Sequence, residues 1–375
     1  MIPFNRPHFT GRELEFIQEV FESGRTAGNF AFTRRCQAYF ERRYGLGKAL
    51  LTTSCTDALE LAALACGIGP GDEVILASYG FVSTANAFAL RGAGLVFADS
   101  GPDHPNMAVA SIADRVTEAT RAIVVTHYAG VAVDMDPVLA LAEARGIQVI
   151  EDAAQGIEAT YKGRPLGTLG HLGALSFHET KNIQCGEGGL LMINDGELAA
   201  RAEIMWEKGT NRAAFFRGEV DKYTWVDLGS SFSPPEITAA VLWAQLVDLE
   251  AIQRRRMAVW NRYHAALAPL EAAGHASLPH VPAQCVHNGH IYYLVLDSLA
   301  TRTRLTEHLK AKGVNAVFHY QSLHRSPYFA PRHLGGPLPN SDRYSDCLLR
   351  LPLWPDLGPA DQDAIIGAVA GFFGA

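Results

Sequence analysis

Between residues 48 and 193, short apolar runs rich in β-branched residues alternate with segments whose apolar positions recur every three or four residues. A chain of βα units building a mostly parallel sheet reads this way. Strands are expected at 73–77, 95–98, 122–126, 148–150, 174–177 and 189–193. Between them Met135, Val138, Leu139 and Ala142 share one face of a helix that runs to Arg145, and Gly146 follows as a stop. After Pro234-Pro235 the pattern changes to one long helix over about 236–270, with Leu242, Leu246, Leu249 and Ile252 at helical spacing. A strand at 291–296, a helix at 302–312, a strand at 316–319 and helices at 342–349 and 360–373 complete the chain. The stretch 327–340, rich in Pro, Gly and His, reads as a surface loop. The expected fold is α/β, with a large domain (1–234) whose mostly parallel central sheet is flanked by helices. A smaller α+β domain (235–375), begun by the long linking helix, follows it.

Composition narrows the function classes. A chain of 375 residues, 48% hydrophobic and 19% charged, suits a soluble enzyme with a large core. Its net charge of −7 comes with no dense block of Lys or Arg, so nucleic acid is a poor partner. The six cysteines include no C-x-x-C pair, which argues against zinc and a disulfide framework and for reduced thiols in the cytoplasm. No metal site is expected. Met1 to Pro7 lacks the apolar stretch of a signal peptide, and Leu59 to Ile68 is too short to cross a bilayer.

The candidate chemistry sits at strand ends. Val149-Ile150-Glu151-Asp152 brings a carboxylate to the C-terminal edge of a parallel sheet, where ligands bind, although an acid there often only caps a turn. Lys181 follows the strand containing Ser176 and precedes Gly186-Glu187-Gly188-Gly189, whose glycines would let the backbone pass close to a bulky ligand. Taken alone it would be a solvated charge. Ser54-Cys55-Thr56 stands where a strand turns into a helix, a position suited to phosphate or to ordinary N-capping. Together they meet the needs of pyridoxal 5′-phosphate (PLP). Ser54 to Thr56 and Ser176 would hold the phosphate, Asp152 would keep a proton on the pyridine nitrogen, and Lys181 would carry the cofactor as a Schiff base.

These motifs resemble those of the DegT/DnrJ-type sugar-nucleotide aminotransferases, a branch of the fold-type I PLP enzymes. Ser54-Cys55-Thr56-Asp57-Ala58-Leu59 is similar to the family's S-x-T-x-A-L turn and Glu151 to Gln155 to its E-D-x-A-Q. Ser176 to Lys181 resembles its S-F-x-x-x-K, and Gly186 to Gly189 its G-E-G-G. The resemblance implies that Phe81 stacks on the cofactor ring, that Gln155 lines it, and that a homodimer shares its active sites. A finer resemblance lies in His178 to Asn182, Glu207 to Arg212 and Asp221 to Trp225. It is to the members that aminate dTDP-4-dehydro-6-deoxyglucose at C4, with glutamate becoming 2-oxoglutarate, to give dTDP-4-amino-4,6-dideoxygalactose. Amination of another keto-sugar, at C3 or C4, is the alternative within the family. A dehydratase would carry His at the position of Lys181, and a PLP-fold regulator would not need the full set of site residues.

One departure stands out. Where most members read G-x-N-x-R, this chain reads Gly229-Ser230-Ser231-Phe232-Ser233. Ser231 is then expected to replace the Asn as a phosphate donor across the dimer interface. Arg212, Arg217 or Lys222 is expected to replace the Arg that meets the donor carboxylate, a solvated loop being the plainer reading. His178, three positions before Lys181, is a candidate for meeting the sugar. His319, Tyr320 and His324 resemble the family's H-Y-x-P-L-H segment near the substrate channel, with Ser322 in place of its Pro.

Overall fold

The computed structural model of the chain describes residues 1–374. In the first part of the chain the strands are β1 (Lys48–Thr52), β2 (Glu73–Ala77), β3 (Gly94–Ala98), β4 (Thr120–Thr126), β5 (Gln148–Asp152), β6 (Thr160–Tyr161), β7 (Arg164–Pro165), β8 (Leu172–Ser176) and β9 (Gly189–Ile193). All but β6 and β7 form one seven-stranded sheet in the order β1-β9-β8-β5-β4-β2-β3. Only β9 runs antiparallel to its neighbours β1 and β8; the other pairings are parallel. The short strands β6 and β7 pair with β10 (Cys285–Val286) in a separate sheet.

The near-continuous apolar runs of these strands are explained by burial on both faces. Ile75, Ile123, Val125 and Val149 enter one core, while Val74, Leu76, Ala122, Val124 and Ile150 enter the other, the period-two alternation of a pleated strand. Helices α1 (Glu13–Ser23), α2 (Ala31–Tyr44), α3 (Cys55–Ala65), α4 (Val82–Ala89), α5 (Val109–Ala113), α6 (Met135–Arg145) and α7 (Gly196–Trp206) cover the two faces. Residues of α1, α2, α5 and α6 pack in the first core; those of α3, α4 and α7 pack in the second.

The single long helix expected over 236–270 is two helices. Beyond the exposed α8 (Arg212–Phe216), α9 (Glu236–Val247) ends where Asp248 leaves helical geometry (φ −103, ψ 9), and α10 (Leu249–Ala272) begins. The first of the pair packs on α1 and α2 in the first core. Its Glu236, 1% exposed, accepts hydrogen bonds from Phe30 N (3.1 Å), Phe32 N (2.6 Å), Thr33 N (3.1 Å) and Thr33 Oγ1 (2.5 Å). Phe30 at the N-cap of α2 has no capping oxygen of its own, so a carboxylate from α9 satisfies those orphan donors.

The C-terminal part of the chain packs around its own core, which starts at Val259 in α10. It contains β11 (Tyr292–Val295), α11 (Leu299–Ala311), β12 (Val317–Phe318), α12 (Pro339–Cys347), β13 (Leu348–Leu351) and α13 (Pro359–Phe373). The helix expected to reach 349 stops at Cys347, and Leu348-Leu349-Arg350-Leu351 is instead the central strand of an antiparallel β11-β13-β12 sheet. Periodicity alone does not separate so short an apolar run from helix. The stretch 327–340 is not wholly surface: Phe329 and Leu338 are buried against the second core.

Candidate active site

The ends of β1, β2, β4, β5 and β8 open on one edge of the sheet, and a cavity of about 380 Å³ lies over it, lined from the other side by His290, His319, Tyr320 and Arg350. At the end of β1, Ser54 is the N-cap of α3 and its hydroxyl accepts from Asp57 N at 3.0 Å. The amides of Cys55 and Thr56, at the first helical positions, have no acceptor among the described residues, as expected of a helix start. Thr56 Oγ1 donates to Ser83 Oγ at 2.8 Å.

Gly188 and Gly189 do not make room for a ligand as expected. A Cβ on Gly189 would run into the Ser54 carbonyl and the Cys55 amide, and one on Gly188 into Cys185 Sγ. The close approach that Gly189 allows is therefore between β9 and the start of α3, while Gly188 admits the Cys185 side chain. Gly189→Ala is expected to destabilise the protein by about 1–3 kcal/mol, the scale of overpacking a tight contact, and to weaken cofactor binding. Urea unfolding and PLP titration would check it.

The two acids at the end of β5 have separate tasks, because successive strand residues point to opposite faces. Asp152 faces the cavity, its Oδ2 accepting from Thr84 Oγ1 at 2.5 Å and its Oδ1 from Ala154 N at 3.1 Å. Glu151, fully buried, accepts from the amides of Gly167 (2.8 Å), Leu169 (2.6 Å) and Gly170 (2.7 Å) and lies 2.8 Å from His127 Nε2. It is a structural anchor for the turn before β8.

Beyond β8 the chain turns so that Lys181 N donates to His178 O at 2.9 Å and the lysine side chain lines the cavity with Ser176. Burial pulls the Lys181 amine below its ordinary value, while the Asp152 carboxylate works against that shift. With its pKa lowered by folding, the amine is protonated more in the unfolded chain, so stability rises with pH through the window up to the ordinary lysine value. Cofactor-free Lys181→Met should melt above cofactor-free wild type at neutral pH, the gap closing as pH climbs towards that value. A gap independent of pH would count against this.

Gln155 is buried between Ala129 N, which donates to its Oε1 at 2.7 Å, and Tyr320 OH, to which its Nε2 donates at 3.1 Å. Phe81 stands 54% exposed at the cavity rim, 5.9 Å from the Tyr320 ring. Its exposed ring face is available to a flat ligand. His319 Nδ1 lies 3.0 Å from Tyr128 OH; burial, then the charges of Arg350 and Lys181, push its imidazole well below its ordinary value and keep it neutral. His178 lines the mouth, 2.8 Å from Thr180 Oγ1.

This set fits PLP: unpartnered helix-start amides for a phosphate, an exposed ring face, a buried carboxylate for a pyridinium nitrogen and an enclosed amine. The sequence profile of the DegT/DnrJ/EryC1/StrS aminotransferase family matches residues 8–370. The chain belongs to that family. TlmJ, an aminotransferase from Streptoalloteichus hindustanus, is 31% identical over 100% of this chain and 99% of its own, with a TM-score of 0.91. DesV of S. venezuelae is 30% identical over 99% and 98% of the two chains, with a TM-score of 0.90. Spr1654 from Streptococcus pneumoniae, solved in a PLP form, shares the fold at 24% identity, covering 99% and 98% of the chains with a TM-score of 0.89. The protein is thus a PLP-dependent sugar aminotransferase of fold type I.

Several expected residues of this DegT/DnrJ/EryC1/StrS aminotransferase lie outside the cavity. Arg212 pairs with Glu207 at 3.4 Å and stacks over Phe216, and its companion Arg217 is held by Glu203 and Glu219, both at 2.7 Å. His324 is buried elsewhere, 2.7 Å from Ser78 Oγ and 3.7 Å from Asp342. Ser231 is exposed, in a bridge with Glu207. The Ser322 amide donates to Ser345 Oγ at 3.3 Å, a bond proline lacks.

The cavity also holds residues the sequence reading missed: Thr84, Thr126, His290 and Arg350. Thr84 lies three residues after Phe81. Arg350 interrupts the apolar run Leu348 to Pro352, a lone charge in a buried strand that would have pointed to it.

Proposed function

We propose that this aminotransferase aminates C4 of a nucleotide-linked keto-sugar, dTDP-4-dehydro-6-deoxyglucose, with glutamate as donor, giving dTDP-4-amino-4,6-dideoxygalactose and 2-oxoglutarate. The observation that carries the reaction is the convergence of Lys181 and Asp152 in one cavity beside the start of α3. The sugar assignment is supported by the finer motif resemblance and by the imidazole and phenol groups of His178, His319 and Tyr320 lining the cavity, which suit the hydroxyls of a hexose.

In this reading Cys55 and Thr56 amides, with the Ser54, Thr56 and Ser176 hydroxyls, hold the PLP phosphate. Phe81 covers the ring, Gln155 fixes its edge, and Asp152, oriented by Thr84, holds a proton on the pyridine nitrogen. When bound, PLP supplies the electron sink for the carbanion at the donor's Cα. Lys181 Nζ anchors the cofactor and, once released, moves the Cα proton; its lowered pKa favours the neutral amine that this needs.

The protein would act as a homodimer in the cytoplasm. Phe216, Tyr223 and Trp225, 69%, 54% and 76% exposed, lie in the segment leading to Ser231, an apolar surface suited to a second subunit. Ser231 would then reach the partner's cofactor. Among the described residues no helix is long and apolar enough to cross a membrane.

The test is incubation with glutamate and dTDP-4-dehydro-6-deoxyglucose, with NMR of the product. An axial amine at C4 and stoichiometric 2-oxoglutarate are expected. A 3-amino product, or none, would overturn the sugar assignment.

A further inference from the structure

Arg350 sits on β13, opposite Tyr293 of β11 and Val317 of β12, with its side chain lining the cavity that holds Lys181. It is 91% buried by its 9% exposure, its guanidinium stacks over the Phe4 ring at 4.5 Å, and its Nε has no hydrogen-bond partner. No carboxylate among the described residues pairs with it; the nearby phenols of Tyr128, Tyr320 and Tyr79 are pushed up by burial and stay neutral. A buried cation without an anion is costly, and a guanidinium fork is shaped for a carboxylate or a phosphate. The site is therefore built for an anion that the chain itself does not supply.

We propose that Arg350 is the residue that binds the α-carboxylate of the amino donor, from the same subunit as Lys181. The cations first expected in that role are engaged or elsewhere: Arg212 and Arg217 pair with glutamates, Lys222 is exposed outside the cavity, and the other buried arginine, Arg256, donates to the His290 carbonyl at 2.6 Å. The cofactor phosphate has its own cradle at the start of α3. A diphosphate joined to the sugar's anomeric carbon lies across the ring from a reacting C4, whereas an α-carboxylate is bonded to the carbon that loses its proton. Arg350 lines the same cavity as Lys181, Asp152 and His319, on the side where the proton is lost, which favours the carboxylate. The proposal rests on the donor being an α-amino acid and is independent of which sugar accepts the amine.

The experiment follows the donor half-reaction of the PLP-loaded protein by its visible absorbance, without sugar, for wild type, Arg350→Gln and Arg350→Lys. The probes are glutamate and isoglutamine, whose α-carboxylate is an amide. Wild type should lose about 100-fold in apparent affinity from glutamate to isoglutamine, the scale for removing one partner of a buried charge pair. Arg350→Gln should weaken glutamate by a similar factor and isoglutamine by less than about 3-fold, and Arg350→Lys should weaken glutamate by about 10-fold. PLP content should stay at the wild-type level. The proposal is overturned if wild type treats the two probes alike, if the substitutions weaken both equally, or if they release PLP instead. Should Arg350→Gln not fold, the wild-type comparison and Arg350→Lys decide the matter. Because no sugar enters, failure of the sugar assignment leaves this result intact.

Discussion

Lys181→Ala is expected to lower amino transfer by at least about four orders of magnitude, the upper end of what a positioned acid–base group supplies. The residue combines two tasks that no neighbour duplicates: it is the enclosed amine of the cavity, and burial holds its pKa below that of an ordinary lysine. The purified wild type should be yellow and its absorbance should change on adding glutamate; the variant should lack the lysine-linked band and that response. Its circular dichroism should stay at wild type, since Lys181 contributes no structural ion pair among the described residues. Residual turnover above about 1% would mean that another group moves the proton.

Asp152→Asn should cost roughly a thousand-fold in kcat, about 4 kcal/mol at the barrier. The amide has nearly the same size: its Oδ1 can still accept from Ala154 N while its Nδ2 donates to Thr84 Oγ1, a hydroxyl able to accept, so fold and orientation survive while the negative charge is lost. Without that charge, nothing else lining the same part of the cavity holds a proton on the pyridine nitrogen, and the ring becomes a poorer electron sink. The KM for the donor should change by less than about five-fold, since Asp152 acts on the cofactor rather than on the carboxylate. A fall in kcat below about ten-fold would overturn this role.

The lysine and the aspartate were legible because each sits in a local motif with a fixed place relative to a strand end. Lys181 follows β8 by five residues and Asp152 ends β5, so βα periodicity alone put both at one sheet edge. Ser54 was legible as a helix start for the same reason. What the sequence blurred was the division between neighbours. Glu151 and Asp152 look alike as adjacent acids, yet the pleat sends one into a cage of backbone amides and the other into the cavity. The glycines at 188 and 189 were visible, but the partners they admit, the Cys185 side chain and the start of α3, were not.

Arg212 and Arg350 show the limit most clearly. The first was chosen for its nearness in sequence to the altered 229–233 loop, but Glu207, five residues before it, takes its charge. The second lies 169 positions after Lys181 in a strand that a short apolar run had disguised as helix. By itself the sequence determined the α/β class, the large parallel sheet and the cofactor end of the site, because those follow from patterns within a few residues of each other. Which cations stay unpaired, and which histidines face the cavity, only the tertiary structure decided. A charge is free or neutralised according to what distant segments bring against it, and folding sets that, not spacing along the chain.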